Sequence, residues 1–317
     1  MTSRITIVGS LNMDLVIRSP HIPQPGETII GRDFQTIPGG KGANQAVAAA
    51  RLGGKVNMVG KVGNDAFADV LLDNLRNSGV NADFVQVDDN SATGVALIVV
   101  DDSGENIIVV ASGANMQLSE SDIMAAEQVI SSSDVLLLQL EVPLPVVTRA
   151  AQIAQANGVK VILNPAPARQ LPAELLKMVD ILVPNESETE LLTGSMLGSQ
   201  VDLEKAAHSL FGSGVGSVVI TLGGRGALYL DSDGEQEKVE AFQIKPVDTT
   251  AAGDAFMAGL AVTIGEGGSL SEAIRWGNAA GALAAMKFGA QTSLPSRDEV
   301  LHLINGENPE SVIGRDT

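Results

Sequence analysis

Two rhythms run through the apolar positions. Short unbroken apolar runs end at a glycine or a polar residue, and longer small-residue stretches follow them. Residues 5–8 run Ile-Thr-Ile-Val into Gly9 and read as the first strand of an α/β sheet. Further strands are expected at 56–62, 134–140, 159–163, 180–184 and 217–222. Helices are expected at 45–52, 66–77, 118–130 (capped by Ser119), 145–156, 255–265, 271–287 and 298–305. Continuous apolar strands alternating with helices predict a mainly parallel sheet covered on both faces, a three-layer αβα sandwich. The ligand crevice of such a sheet lies at the carboxyl ends of its strands.

Two stretches break the rhythm. Residues 15–17 and 27–30 read as short strands joined by a turn containing Pro20, Pro23 and Pro25-Gly26. Residues 94–100 and 106–111 read as a second hairpin turning through 101–105. Together they predict a small β-sheet beside the main domain, whose apolar face must be covered, so it is a candidate lid or dimer surface. The expected division is an α/β domain of 1–11, 36–92 and 112–306, a lid of 12–35 and 93–111, and a polar, frayed tail of 307–317. There is no internal repeat and no low-complexity linker.

Composition narrows the chemistry. Apolar residues make up 44% of 317, aromatic ones only 3%, and there are 34 glycines. The core is therefore aliphatic, with Ala and Gly permitting close backbone approach. A formal net charge of −18 weighs against nucleic acid and anionic membranes as partners. Cysteine is absent, which excludes disulfides, a thiolate nucleophile and Cys-based zinc sites. His21, His208 and His302 lie far apart in sequence, against a His-based metal site. No charged-then-apolar leader opens the chain, and no apolar run reaches the ~18 residues of a membrane helix, so a soluble cytoplasmic protein is expected.

The candidate chemistry centres on Asp248-Thr249-Thr250-Ala251-Ala252-Gly253-Asp254, which opens the small-residue helix at 255–265. Thr249 and Thr250 are candidate caps, with Gly253 and Asp254 near the first turn. A helix start offers unpaired N–H groups and roughly half a positive charge to an anion. A carboxylate beside it can take a proton from a hydroxyl nucleophile, although an Asp there also complements the helix dipole. Gly39-Gly40-Lys41-Gly42-Ala43-Asn44 precedes an alanine helix. It is not a P-loop, because no glycine stands five residues before Gly40 and no Ser or Thr follows Lys41. It suits either close approach to a polar ligand or tight helix packing. Asn12 and Asp14, Glu141, Asn185 and Glu188, Thr221 and Gly223, and 248–254 all follow predicted strands. Each alone fits a turn or cap; their gathering at one sheet edge points to a site.

The 39–44 loop, Asn164-Pro165-Ala166-Pro167-Ala168, Asn185-x-x-Glu188 and Ala252-Gly253-Asp254 together resemble the ribokinase-like sugar kinase family, in the same order and over residues 4 to 303. The resemblance implies ATP-dependent phosphorylation of ribose at its O5 hydroxyl. Asp254 would be the base, and the N–H groups around Ala251, Ala252 and Gly253 the anion hole. Sugar hydroxyls would be held by Asn12, Asp14, the Gly40, Lys41, Gly42, Ala43 and Asn44 loop, and Glu141. ATP would meet Asn185, Thr221, Leu222, Gly223, Gly224, Arg225, Gly226, Gly253 and Asn278. Magnesium would be organised through water by Asn185 and Glu188. Potassium is implied near Asp248 and Thr250, with Ala284, Lys287, Gly289 and Ser293. The lid sheet would also form a homodimer clasp. One departure is Ala251, where many relatives carry Gly. Phosphoryl transfer needs positioning and charge stabilisation, so the lack of Cys is no obstacle.

The near rival is a deoxyribokinase or another pentose or nucleoside kinase of the same fold. Asn12 with Asp14 furnishes a pocket for vicinal hydroxyls, and a substrate lacking one leaves a buried partner unpaired at ~1–3 kcal/mol. A non-enzymatic sugar-binding protein has no use for Asp254 beside an anion hole. A dinucleotide oxidoreductase is disfavoured because 9–12 lacks the G-x-G-x-x-G turn.

Overall fold

The computed structural model describes residues 2–312. Among them, nine strands form the main sheet in the order Gln236–Val239, Ala227–Leu230, Ser217–Thr221, Ile181–Leu182, Lys160–Leu163, Val135–Leu138, Arg4–Val8, Lys55–Gly63 and Asn81–Asp88. All neighbours pair parallel except the last two pairings at the Gln236–Val239 edge, which are antiparallel. Arg4–Val8 lies between Lys55–Gly63 and Val135–Leu138, so successive strands are laid down on opposite sides of it. Strand order reverses there, which opens a crevice at the carboxyl end of Arg4–Val8.

Alternation along the strands fills two cores. Ile5 and Ile7 pack with Val47, Leu260 and Leu283 on one face. Val8 and Leu138 pack with Val147 and Leu203 on the other. The helices Ala252–Gly265 and Leu270–Ala285 lie unusually close. A Cβ on Gly259 would stand 2.9 Å from the Trp276 carbonyl oxygen, and one on Gly277 2.8 Å from the Phe256 ring. The small-residue composition thus becomes helix-on-helix approach. No helix among the described residues is long and apolar enough to cross a membrane.

A second sheet of four strands has the order Arg32–Gly39, Asn12–Arg18, Gly94–Val100 and Asn106–Ala111. Its inner two strands run parallel and both outer pairings are antiparallel. The partner of Asn12–Arg18 is therefore Arg32–Gly39 and not the expected 27–30, which carries no strand. Pro38 is tolerated because Arg32–Gly39 is an edge.

Other expectations are corrected in detail. The helix expected at 118–130 is two short ones, Glu120–Ala125 and Glu127–Ser131, breaking at Ala126. Ser119 caps the first through a reciprocal box with Asp122. Neither Thr249 nor Thr250 caps Ala252–Gly265, which has no side-chain cap. Thr250 is instead captured by Asp248. Part of the expected tail is helical, Pro309–Val312, with Val312 buried, and 313–317 lie outside the described residues. Three strands were not anticipated: Asn81–Asp88, Ala227–Leu230 and Gln236–Val239.

Candidate active site

The Ala252–Gly265 helix is apolar and buried from Ala255 to Val262, so it enters the core end-on and carries Asp254 to the crevice in its first turn. Ala251 precedes it with φ of 59°, a left-handed conformation that strains a residue with a Cβ. That bend turns the first N–H groups outward. The Ala252 N–H donates to the Thr249 carbonyl at 3.2 Å, and with no side-chain cap the Gly253 and Asp254 N–H groups remain for a ligand. Of the residues expected around the anion hole, Gly253 leaves its N–H available, whereas the Ala252 N–H is held by the Thr249 carbonyl. A Cβ on Gly253 would meet nothing within 4 Å, because that position faces open space.

Asp254 is buried, and amides grip both of its oxygens. The Asn44 Nδ2 donates to Oδ2 and the Gln45 Nε2 to Oδ1, each at 3.0 Å. Burial pushes the Asp254 carboxyl above the usual carboxylate range; Lys41 and the two amides oppose this, and Glu141 adds to it. Both amides stand on the Lys41–Arg51 helix, whose start is shaped by Gly40 at φ 89°. A Cβ there would lie 2.7 Å from the Asn12 nitrogen, so the close approach of loop and strand requires glycine.

The same loop builds the other wall. Glu141 Oε2 accepts from the Ser10 hydroxyl and from the Lys41 N–H, the latter at 3.2 Å. Burial alone would lower the Lys41 ammonium, but Asp254, Glu141 and Glu188 around it outweigh that and raise it. Asp14, on Asn12–Arg18 of the second sheet, is raised to about 7 by burial and by the nearby carboxylates Glu141 and Asp254. Gly42 and Ala43 are buried inside the helix, and Ala43 donates its N–H to the Ser10 carbonyl at 2.9 Å.

A cleft of about 200 Å³ opens beside Asp254, lined among others by Lys41, Asn185, Glu188, Thr221, Ala251 and Gly253. Asn185 caps the Glu186–Thr193 helix by a reciprocal box with Glu188. Both Glu188 oxygens accept from Asn185, at 2.8 and 3.1 Å. Glu188 is buried and shifted upward, first by that burial, against the pull of the Asn185 N–H and Lys41. This pair fits an outer shell of water around a phosphate-bound magnesium better than direct ligation. No cluster of three or more His, Cys, Asp or Glu able to hold a metal occurs among the described residues.

Gly223, Gly224 and Arg225 form a turn after Ser217–Thr221, with Arg225 paired to Glu186. Leu222 is a core residue whose N–H donates to the Gly226 carbonyl at 2.8 Å. Gly226 has φ of 87°, and a Cβ there would fall 2.0 Å from the Val239 carbonyl oxygen. Asn278 donates to the carbonyls of Val239 and Glu240 at 3.2 Å each. These residues therefore gather around the end of Gln236–Val239, alongside the cleft rather than in its lining.

Asp248 organises a separate loop. Its Oδ1 accepts from the Thr250 N–H and hydroxyl at 2.9 and 2.6 Å, and its Oδ2 from the Gly289 N–H at 2.9 Å. Burial pushes this carboxyl up, but those donors outweigh it and hold it below the usual range. The Ala284 carbonyl accepts from the Lys287 N–H at 3.2 Å, and the Ser293 hydroxyl donates to the Ala290 carbonyl at 2.7 Å. Lys287 Nζ is paired with Glu299 at 2.7 Å; an ammonium has no lone pair, so only the Lys287 carbonyl could meet a cation. An oxygen-only set suits a hard cation and not a soft one.

Sequence reasoning missed the grip of Gln45 on Asp254, and it missed Asn115. Asn115 is fully buried in a short turn after Asn106–Ala111. It accepts from the Leu11 N–H at 2.9 Å and donates to the Leu11 carbonyl at 2.9 Å and to Asn12 Oδ1 at 2.8 Å. Asn12 is thereby fixed with its Nδ2 donor outward. The only sequence signal was an Asn between Ala114 and the buried Leu118.

The pattern for pfkB family carbohydrate kinases matches residues 2–297. A ribokinase of Haemophilus influenzae is 44% identical over 304 residues, covering 96% of this chain and 99% of that one. A deoxyribokinase of Salmonella typhimurium is 38% identical over 296 residues, covering 93% of this chain and 96% of its own. The solved structure of Arabidopsis thaliana ribokinase complexed with ribose and ATP superposes with a TM-score of 0.89 at 34% identity, covering 96% and 99% of the two chains.

Proposed function

The chain belongs to the pfkB family of carbohydrate kinases, and from that premise we propose that it transfers the terminal phosphoryl group of ATP to O5 of D-ribose. The observation that carries this reading is Asp254, gripped by two amides at an uncapped helix start where the Lys41 loop meets the cleft. In this reading Asp254 takes the hydroxyl proton, and the Gly253 and Asp254 N–H groups face the charge that develops on the phosphoryl. Asn12, Asp14, Lys41, Asn44 and Glu141 hold the sugar hydroxyls. Asn185, Thr221, the 222–226 turn and Asn278 form the ATP side. Asn185 and Glu188 would hold the water shell of a magnesium ion, and that ion would neutralise phosphate charge when bound. The Asp248 loop would hold potassium.

The second sheet, Arg32–Gly39, Asn12–Arg18, Gly94–Val100 and Asn106–Ala111, serves as the lid. Its outer strand Asn106–Ala111 is exposed throughout, although Ile107, Ile108, Val109 and Val110 are 48–59% exposed apolar side chains. A second copy of the chain covers them, and the protein works in the cytoplasm. Sedimentation at micromolar concentration is expected to give twice the 32.7 kDa chain mass; a monomer at that concentration would remove the clasp.

The assay is ADP formation from MgATP with ribose and 2-deoxyribose in parallel, in potassium and in sodium. Ribose is expected to be favoured by roughly tenfold or more, the worth of one buried hydroxyl partner. The rate is expected to fall on potassium removal and to recover on its return. A preference for 2-deoxyribose would overturn the reading of Asn12 and Asp14, and turnover of neither sugar would overturn the substrate.

A further inference from the structure

Behind the proposed base lies a line of buried amides that no ligand can touch. Gln139 follows the Val135–Leu138 strand, and Gln45 stands on the Lys41–Arg51 helix; both are 0% exposed. The Gln139 Nε2 donates to the Gln45 Oε1 at 2.5 Å, and the Gln45 Nε2 donates to the Asp254 Oδ1 at 3.0 Å. We propose that Gln139 and Gln45 are positioning residues that hold the Asp254 carboxylate in its proton-accepting orientation. The inference rests on the reading of Asp254 as the base.

The direction of the line follows from the chemistry of its end. An ionised carboxylate only accepts, so Gln45 must turn its NH₂ group to Asp254. The Gln45 carbonyl then points away and needs a donor, which only the NH₂ end of Gln139 can supply. The Gln139 Oε1 is left with no partner in a fully buried place. Its room comes from Gly9, at the end of the neighbouring strand, where a Cβ would stand 2.0 Å from that oxygen. Packing alone does not account for this. Apolar side chains of the same size would fill both places without burying an unpaired amide oxygen. The arrangement is therefore costly in the core and useful at its end.

Gln45 and Asn44 divide the work. Asn44 grips the other oxygen, and in the proposed reading it also holds a sugar hydroxyl, so its loss would touch the sugar as well. Gln45 does not line the cleft, so its loss falls on the carboxylate alone. The charged groups that also face Asp254 are Lys41 from the same helix, Glu141 beyond the Val135–Leu138 strand, Asp14 from the second sheet and Glu188 from the Glu186–Thr193 helix. None of them changes in a Gln45 variant. Removing a donor from a carboxylate disfavours its ionised form, so the acid limb of the pH profile should move to higher pH.

The experiment uses Gln45→Met and Gln139→Met in single-turnover mixing with ribose and MgATP across the pH range, so that product release does not mask the chemical step. In Gln45→Met the single-turnover rate is expected to fall roughly tenfold, the worth of one hydrogen bond to a charged group. Both KM values should stay within about twofold, and the acid limb should move up by roughly half to one pH unit. Gln139→Met should move the same limb less, because it acts through Gln45. It also reads the relay if Gln45→Met does not fold. An unmoved limb with a rate within about twofold, in a variant that melts as the parent does, would overturn the proposal; so would a raised ribose KM with an unchanged rate. Asp254→Asn in parallel separates the two readings. Turnover retained there removes the base itself, while turnover lost there with an unmoved Gln45→Met limb removes only the relay.

Discussion

Replacing Asp254 by Asn is expected to lower turnover by roughly 10²–10⁴, the usual worth of a positioned acid or base. The substitution keeps the volume and removes only the charge and the basicity. Asn44 and Gln45 now point two amide donors at a side chain with one oxygen and one NH₂ group, so one contact becomes donor against donor. That disturbance stays at the start of the Ala252–Gly265 helix. Asn185, Thr221 and Asn278 stand on other elements and keep their partners, so the KM for ATP should change by no more than a few-fold. Stability should not suffer, because the variant no longer buries a carboxylate whose ionised form is disfavoured there. Steady-state ADP formation with saturating ribose and MgATP is the measurement. Near-parental turnover would remove Asp254 as the base and leave the amide grip as a structural feature.

Much of the scaffold was legible because burial on both faces leaves a plain mark. Val135–Leu138 and the Val-Val-Ile centre of Ser217–Thr221 are unbroken apolar runs, and each is followed by a polar residue, Gln139 or Thr221, that the parallel sheet delivers to one edge. Edge strands leave no such mark. Arg32–Gly39 is exposed over its first five residues and contains Pro38, so its strand character comes from pairing with Asn12–Arg18 and not from its own pattern. The 27–30 run is more apolar than its surroundings, yet nothing pairs with it.

The site divides along the same line. Asp254, Asn185 and Glu188 stand at fixed spacings on one helix start each, so local sequence reveals them. Asn115 reaches Asn12 across 103 positions and Gln139 reaches Gln45 across 94. Such contacts exist only once the sheet has brought its strand ends together. Local reasoning also misplaced the Thr249 and Thr250 caps. It could not see that Asp248 competes for Thr250, nor that Ala251 would take a left-handed turn in place of a cap.

The Asp14→Asn variant is expected to trade ribose binding for stability, with a pH dependence that identifies the cause. Asp14 sits where three carboxylates converge, and its carboxyl is raised from 3.8 to about 7 by burial, then by Glu141 and Asp254. Between those two values the folded state holds a proton that the unfolded chain has released. Stability from this group therefore falls as pH rises from 3.8 to about 7, and stays lost above. An Asn has no such loss. At pH 8 the ligand-free variant should be more stable than the parent by on the order of 1–3 kcal/mol, which is a rise of several degrees in Tm. At pH 5 the parent carboxyl is protonated in the fold and only about a third of that loss has accrued, so the difference should shrink to roughly a third. Ribose moves the other way. A charged acceptor to a sugar hydroxyl is worth about 1.5–3 kcal/mol, so the ribose KM should rise by up to about two orders of magnitude while the KM for ATP holds. Melting curves of both proteins at pH 5 and pH 8, with and without ribose, test the trade. An equal Tm gap at both pH values would show that packing, not charge, separates the variants. An unchanged ribose KM would take Asp14 out of the sugar pocket.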